Sequence, residues 1–172
     1  MEQIPIEVIL KAEAFISNLS EEDQEKLWYI YEEEQPHLIL VFYNMLKDIK
    51  DKNIIAKCQY LYLVIYRSYK YYGVKLAPLK HEKVMDIHFK IAEILFKNES
   101  KFQSGDGIWI EMKMFIQQDN LVDFIIIFLI GPPDNPYNFK IIDDFQASNA
   151  ELITSIIILN NEMKKHIGDE IN

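Results

Sequence analysis

The chain has 172 residues, of which 49% are apolar and 13% aromatic, and it carries a formal charge of −9 at pH 7. This length and composition predict one domain with a substantial apolar core, and they exclude an intrinsically disordered protein. Only five glycines and six prolines are present, too few turn formers for a many-stranded β-sandwich or barrel. The single cysteine, Cys58, excludes a disulfide within the chain and a thiolate zinc site, and favours a reducing compartment.

Helix signals follow one another from the N-terminus. Pro5 suits the first turn of a helix that ends near Leu19, and Ser20 is a predicted N-cap for an acidic second helix. Pro36 either kinks that helix or begins a third, apolar one. A polar elbow at 47–53 precedes a long helix that Gly73 ends in a left-handed conformation. The pattern of apolar residues predicts an amphipathic helix over 81–99 and a final helix or pair of helices over 139–167.

Residues 108–130 are the expected central element. The second half, 121–130, is apolar on every side except at Asp123, so we expect neighbouring segments to cover it all round. Asn120 is a predicted N-cap for this half, with Asp123 at the N3 position.

The predicted fold is all-α, with six or seven helices in one irregular, orthogonal or bundle-like domain spanning residues 1–172 and a core of 38–46, 61–65 and 121–130. A minor alternative adds a two-stranded ribbon to the helical body. In that alternative, 124–130 and 154–159 would be strands, since both are rich in β-branched residues.

The chain begins without a signal peptide and contains no apolar run of membrane-spanning length, so we expect a cytoplasmic protein without a membrane partner. Arg67 is the only arginine, while lysine, isoleucine and asparagine are plentiful. This bias is typical of an AT-rich genome and favours a bacterial source.

Charge is distributed unevenly along the chain. Residues 1–36 carry −8, residues 37–101 carry +6 and residues 102–172 carry −7. The first interpretation is that the basic middle faces the acidic ends within one fold. The alternative is a basic face that binds an anionic partner.

Six tyrosines between positions 60 and 72 alternate with basic residues. We rank core packing first for this cluster, a protein interface second and nucleic-acid binding a distant third, because one arginine and a pI near 4.9 are unsuited to phosphate recognition. As an interface, its candidate residues are Tyr66, Arg67, Tyr69, Lys70, Lys75 and Lys80.

Few residues are arranged for chemistry. Glu34 and His37 have the E-x-x-H spacing of di-iron bundles, but the pair does not recur and Pro36 interrupts it, so they are only weak metal candidates. His88 and Trp109 are candidates for a small-molecule pocket, although a histidine on an apolar face is more often a core residue. Nucleotide-binding, nucleophile-elbow and zinc-protease motifs are absent, so we expect no cofactor and favour a non-enzyme.

The predicted function is a non-catalytic protein-interaction module of the bacterial cytoplasm. The contact surface would be either the tyrosine and lysine residues of 57–80 or the acidic residues of 21–34, and self-association is possible as well. The alternative is a helical protein that binds a small molecule or a metal, including an enzyme of that kind.

Overall fold

The computed structural model describes residues 3–47, 50, 52–73, 78–86, 89, 93 and 119–130. Every regular element within these ranges is a helix, which confirms the all-α prediction. Five helices have defined bounds: α1 (Ile6–Ser17), α2 (Glu21–Glu34), α3 (Pro36–Leu46), α4 (Lys52–Tyr71) and α5 (Asp119–Ile130). Residues 81–86 are helical as well. Since 124–130 belong to α5, they are not a ribbon strand, while 154–159 and 139–167 lie outside the described residues.

Ser20 caps α2 as predicted. Its side-chain oxygen accepts a hydrogen bond from the backbone N–H of Asp23 at 3.2 Å, and its hydroxyl donates to the Asp23 carboxylate at 2.8 Å. Glu21, Glu22 and Asp23 fill the first turn of the helix, where the helix dipole favours negative charge. The acidic composition of this turn therefore stabilises the start of α2.

Gln35 separates α2 from α3. Its backbone (φ −137°, ψ 60°) is not helical, yet its N–H donates to the Tyr31 carbonyl at 2.9 Å and its own carbonyl accepts from Ile39 at 3.1 Å. Pro36 thus begins a new helix, one of the two predicted alternatives, because a proline at this position needs no N–H partner. Gln35 is fully buried, and its side-chain oxygen accepts from the backbone N–H of Leu79 at 3.1 Å.

Gly73 ends the long fourth helix. Its φ of +90° lies in the left-handed region, and its N–H donates to the Lys70 carbonyl at 3.1 Å. A glycine reaches this conformation without the steric cost that a Cβ imposes. The predicted C-terminal signal is therefore confirmed.

The core is organised around α4. Residues 61–65 of this helix are all buried, and α1 packs along it more extensively than any other pair of helices described, through Ile9, Ala12 and Ile16. α3 buries its apolar side, and Cys58 is buried too, as expected for a small apolar residue. The predicted core segments 38–46 and 61–65 are therefore largely correct.

α5 departs from the prediction in two ways. Leu121 and Ile125 are buried, but Ile127 is 54% exposed and Phe128 37% exposed, so these two side chains are not covered as predicted. Among the described helices, its contacts are with α1 and α4. Asn120 lies inside the helix rather than capping it, and its side-chain amide donates to the Ile4 carbonyl at 3.0 Å.

Candidate functional site

An open groove of about 370 Å³ lies where α2, α3 and α4 meet. Its lining combines aromatic rings with carboxylates: Glu21, Gln24, Glu25, Trp28, Tyr29, Tyr43, Ala56, Gln59, Tyr60 and Leu63. Trp28 and Tyr29 come from α2, Tyr43 from α3 and Tyr60 from α4. These tyrosines and the tryptophan are drawn together from three helices, so their spacing along the chain does not reveal the groove.

Trp28 anchors the floor of the groove. It is 6% exposed and its rings contact Phe42, Tyr43 and Tyr62 at centroid distances of 5.4, 5.9 and 5.3 Å. The indole N–H donates to the Tyr43 hydroxyl at 2.7 Å. Edge and tilted ring contacts of this kind add to burial in fixing aromatic side chains. These ring contacts fix the position of Trp28, and the indole hydrogen bond holds Tyr43 at the rim.

The rim is exposed and acidic. Tyr29 is 55% exposed and Tyr43 42% exposed, and the Tyr29 hydroxyl donates to the Glu25 carboxylate at 3.3 Å. The negative charge of Glu25 raises the pKa of Tyr29 above its ordinary value, because a nearby carboxylate disfavours ionisation of the Tyr29 hydroxyl. Lys26, the only base in α2, pairs with Glu22 at 2.7 Å and with Asp23 at 3.4 Å.

Tyr60 joins the groove to α1. Its hydroxyl donates to the Glu13 carboxylate at 2.8 Å, and its ring stacks on Phe128 of α5 at 5.1 Å. Partial burial and the Glu13 charge together raise the pKa of Tyr60. This side of the groove is thus held in place by contacts with two further helices.

The predicted tyrosine and lysine surface is wrong at two of its positions. Tyr66 and Tyr69 are completely buried, so neither can contact a partner. Core packing, the first-ranked interpretation of the cluster, is the correct one for them. The residue pattern alone could not place them, since tyrosine suits a core and an interface equally well.

Lys70 and Arg67 are engaged by neighbouring side chains. Lys70 contacts both carboxylate oxygens of Glu34, at 2.6 and 2.8 Å, and Tyr66 donates to the same carboxylate at 3.0 Å. The guanidinium of Arg67 lies over the rings of Phe15 and Tyr71, at 4.3 and 4.5 Å from their centroids. Both cations therefore stabilise the contact between α4 and its neighbours.

Glu34 and His37, the weak metal candidates, face different partners. Glu34 is committed to Lys70 and Tyr66, whereas the His37 ring packs against His81 at a centroid distance of 5.3 Å. The E-x-x-H pair is therefore not assembled as a joint ligand set. Lys80 is exposed, and the remaining predicted positions, Lys75, His88 and Trp109, lie outside the described residues.

Neither a metal cluster nor a membrane span is found in the part of the chain that the structure describes. There, no group of three or more His, Cys, Asp or Glu side chains is placed to hold a metal ion, and no helix combines the length and the apolar character that crossing a bilayer requires. Beyond the chain itself, no protein-family model, curated protein or solved structure matches it.

Proposed function

We propose that this chain is a non-catalytic protein-interaction module that binds a basic segment of a partner protein in the groove between α2, α3 and α4. The observation that carries the proposal is the groove itself, in which exposed aromatic rings lie beside carboxylates and the lining residues include no base. Of the two surfaces that the sequence offered, the acidic one of 21–34 is therefore favoured over the basic one of 57–80.

Charge complementarity supports a basic occupant. α2 contains seven acids and one lysine in 14 residues, and that lysine already pairs with Glu22 and Asp23. Glu21 and Glu25 line the groove without a base among its lining residues. A lysine or arginine of a partner would supply the missing positive charge and would be attracted from a distance at low salt.

The aromatic lining supports a protein occupant. Tryptophan and tyrosine are enriched at protein interfaces because their rings offer a large apolar area together with one polar group. Tyr29 and Tyr43 present an apolar ring and a polar hydroxyl group at the rim. A cation placed over such a ring gains about 0.5–1 kcal/mol at an exposed site. The exposed side chains of Ile30 and Leu40 provide apolar area on the same two helices.

The decisive experiment compares two charge-reversal variants. Glu21→Lys with Glu25→Lys reverses the groove, and Glu7→Lys with Glu82→Lys is the matched control, since both of its residues are exposed and neither lines the groove. A photoreactive amino acid at position 29 would be cross-linked in an extract of the source organism. We expect the wild-type and control chains to give a discrete cross-linked protein and the groove variant to give none. The yield of this cross-linked protein should decline as the salt concentration rises.

Two results would refute the proposal. One is a cross-linked protein that persists undiminished in the groove variant. The other is a cross-linked peptide, identified by mass spectrometry, that carries no excess of lysine and arginine. In either case the carboxylates would not be recognising a basic segment.

A further inference from the structure

His37 and His81 form a pair that their positions in the sequence do not reveal. His37 is the second residue of α3 and is half-buried, while His81 begins the helical segment 81–86 and is exposed. Their ring centroids are 5.3 Å apart and their planes meet at 61°. Both side chains can therefore be reached from solvent while lying next to each other.

One buried hydrogen bond fixes the spacing of the pair. Gln35 accepts from the backbone N–H of Leu79 at 3.1 Å, and both residues are buried. Each histidine follows its own anchor by two residues: His37 follows Gln35 and His81 follows Leu79. This hydrogen bond therefore limits the distance between the two histidine backbones.

The separation of the rings matches that of two imidazoles bound to one ion. Metal–nitrogen distances of about 2.0–2.1 Å place each ring centroid about 3.2 Å from the metal, so a tetrahedral angle separates the centroids by about 5.2 Å. Imidazole nitrogen is a preferred ligand of Cu²⁺, Ni²⁺ and Zn²⁺. We propose that His37 and His81 form a two-histidine site for a divalent transition-metal ion of this group.

Within the described part of the chain, these two histidines are the protein's only contribution to the site, since no cluster of three ligand-type side chains occurs there. Glu34, three residues before His37, is held by Lys70 and Tyr66. Water would complete the coordination, so the ion would exchange readily. When bound, it would cross-link the start of α3 to the start of segment 81–86. This site is independent of the proposed protein-binding groove.

The test is titration of the purified full chain with Cu²⁺, the ion that such ligands bind most tightly. Electron paramagnetic resonance should show one ion per chain with two coordinating imidazole nitrogens. Calorimetric titration with Zn²⁺ should show the same stoichiometry. His37→Ala and His81→Ala should each lower the affinity at least tenfold, whereas His166→Ala, which removes a histidine that is not one of the pair, should leave it unchanged.

Three results would overturn the proposal. The first is a wild-type spectrum without two coordinating imidazole nitrogens. The others are a loss of metal affinity in His166→Ala equal to that in His37→Ala, and undiminished metal affinity in both His37→Ala and His81→Ala. Any of them would show that the two rings are only a packing contact. Since the wild-type spectrum is decisive by itself, a variant that folded poorly would not leave the question open.

Discussion

Tyr62 and Tyr66 occupy successive turns of α4, and both side chains are fully buried. Their rings stack at a centroid distance of 6.0 Å. The hydroxyl groups differ in their partners. Tyr66 donates to Glu34 at 3.0 Å, whereas the Tyr62 hydroxyl has no hydrogen-bond partner among the described residues. Replacing each tyrosine by phenylalanine removes one oxygen and preserves the ring contacts, so the two substitutions form a matched pair.

We expect the two substitutions to change stability in opposite directions. A hydrogen bond to a charged group contributes about 1.5–3 kcal/mol, and a buried hydroxyl without a partner costs about 1–3 kcal/mol. Because the Glu34 side chain is 37% exposed, the lower limit applies to Tyr66, and Tyr66→Phe should destabilise the fold by about 1.5 kcal/mol. Tyr62→Phe should stabilise it by up to about 1 kcal/mol.

Urea denaturation followed by far-ultraviolet circular dichroism measures both effects. With a slope of about 2 kcal/mol per molar urea, the two midpoints should lie about 1 M apart, with the wild type between them. Equal destabilisation by both substitutions would refute the reasoning, because it would show that the Tyr62 hydroxyl is hydrogen-bonded in solution. An equal midpoint for Tyr66→Phe and wild type would show that the contact with Glu34 contributes nothing to stability.

Three further predictions concern pH and the helix ends, and urea denaturation measures each of them. Burial raises the pKa of Tyr62, Tyr66 and Tyr69 above the ordinary value of 10.0. The folded state therefore keeps protons that the unfolded state loses, so the free energy of unfolding should fall as the pH rises above 10; a level profile to pH 11.5 would contradict this. Gly73→Ala should destabilise by about 1 kcal/mol through its positive φ alone, since no described residue other than its chain neighbours has an atom within 4 Å of the added Cβ; an unchanged midpoint would disprove it. Ser20→Ala should cost about 1 kcal/mol by removing the cap of α2, and Ser20→Asp should restore most of that loss; equal midpoints for the two variants would argue against a capping role.

The helix boundaries could be predicted because their causes are local. Ser20 caps the helix that immediately follows it, Pro36 limits a boundary to a kink or a new first turn, and Gly73 tolerates a positive φ that other residues avoid. Each of these effects involves residues within one turn of helix. A sequence reveals such effects without any knowledge of the tertiary contacts.

The candidate site could not be predicted, because it depends on which face of each helix is covered. Tyr66 and Tyr60 belong to the same tyrosine-rich helix, yet packing buries the first and places the second in the groove. The exposed side of α5 at Ile127 illustrates the same point, since an apolar composition states what a side chain prefers and not which neighbour covers it. The pairing of His37 with His81 likewise depends on the tertiary contact between Gln35 and Leu79.

The packing of α1 against α4 has a consequence for synthesis of the chain on the ribosome. α1 ends at Ser17, but the helix that covers its apolar side is complete only at Tyr71, about 50 residues later. At a translation rate of 5–20 residues per second, that delay is about 3–10 s. During this interval Ile9 and Ile16 have no cover from α4, so the nascent chain presents an apolar helix to the chaperones that act near the ribosome exit.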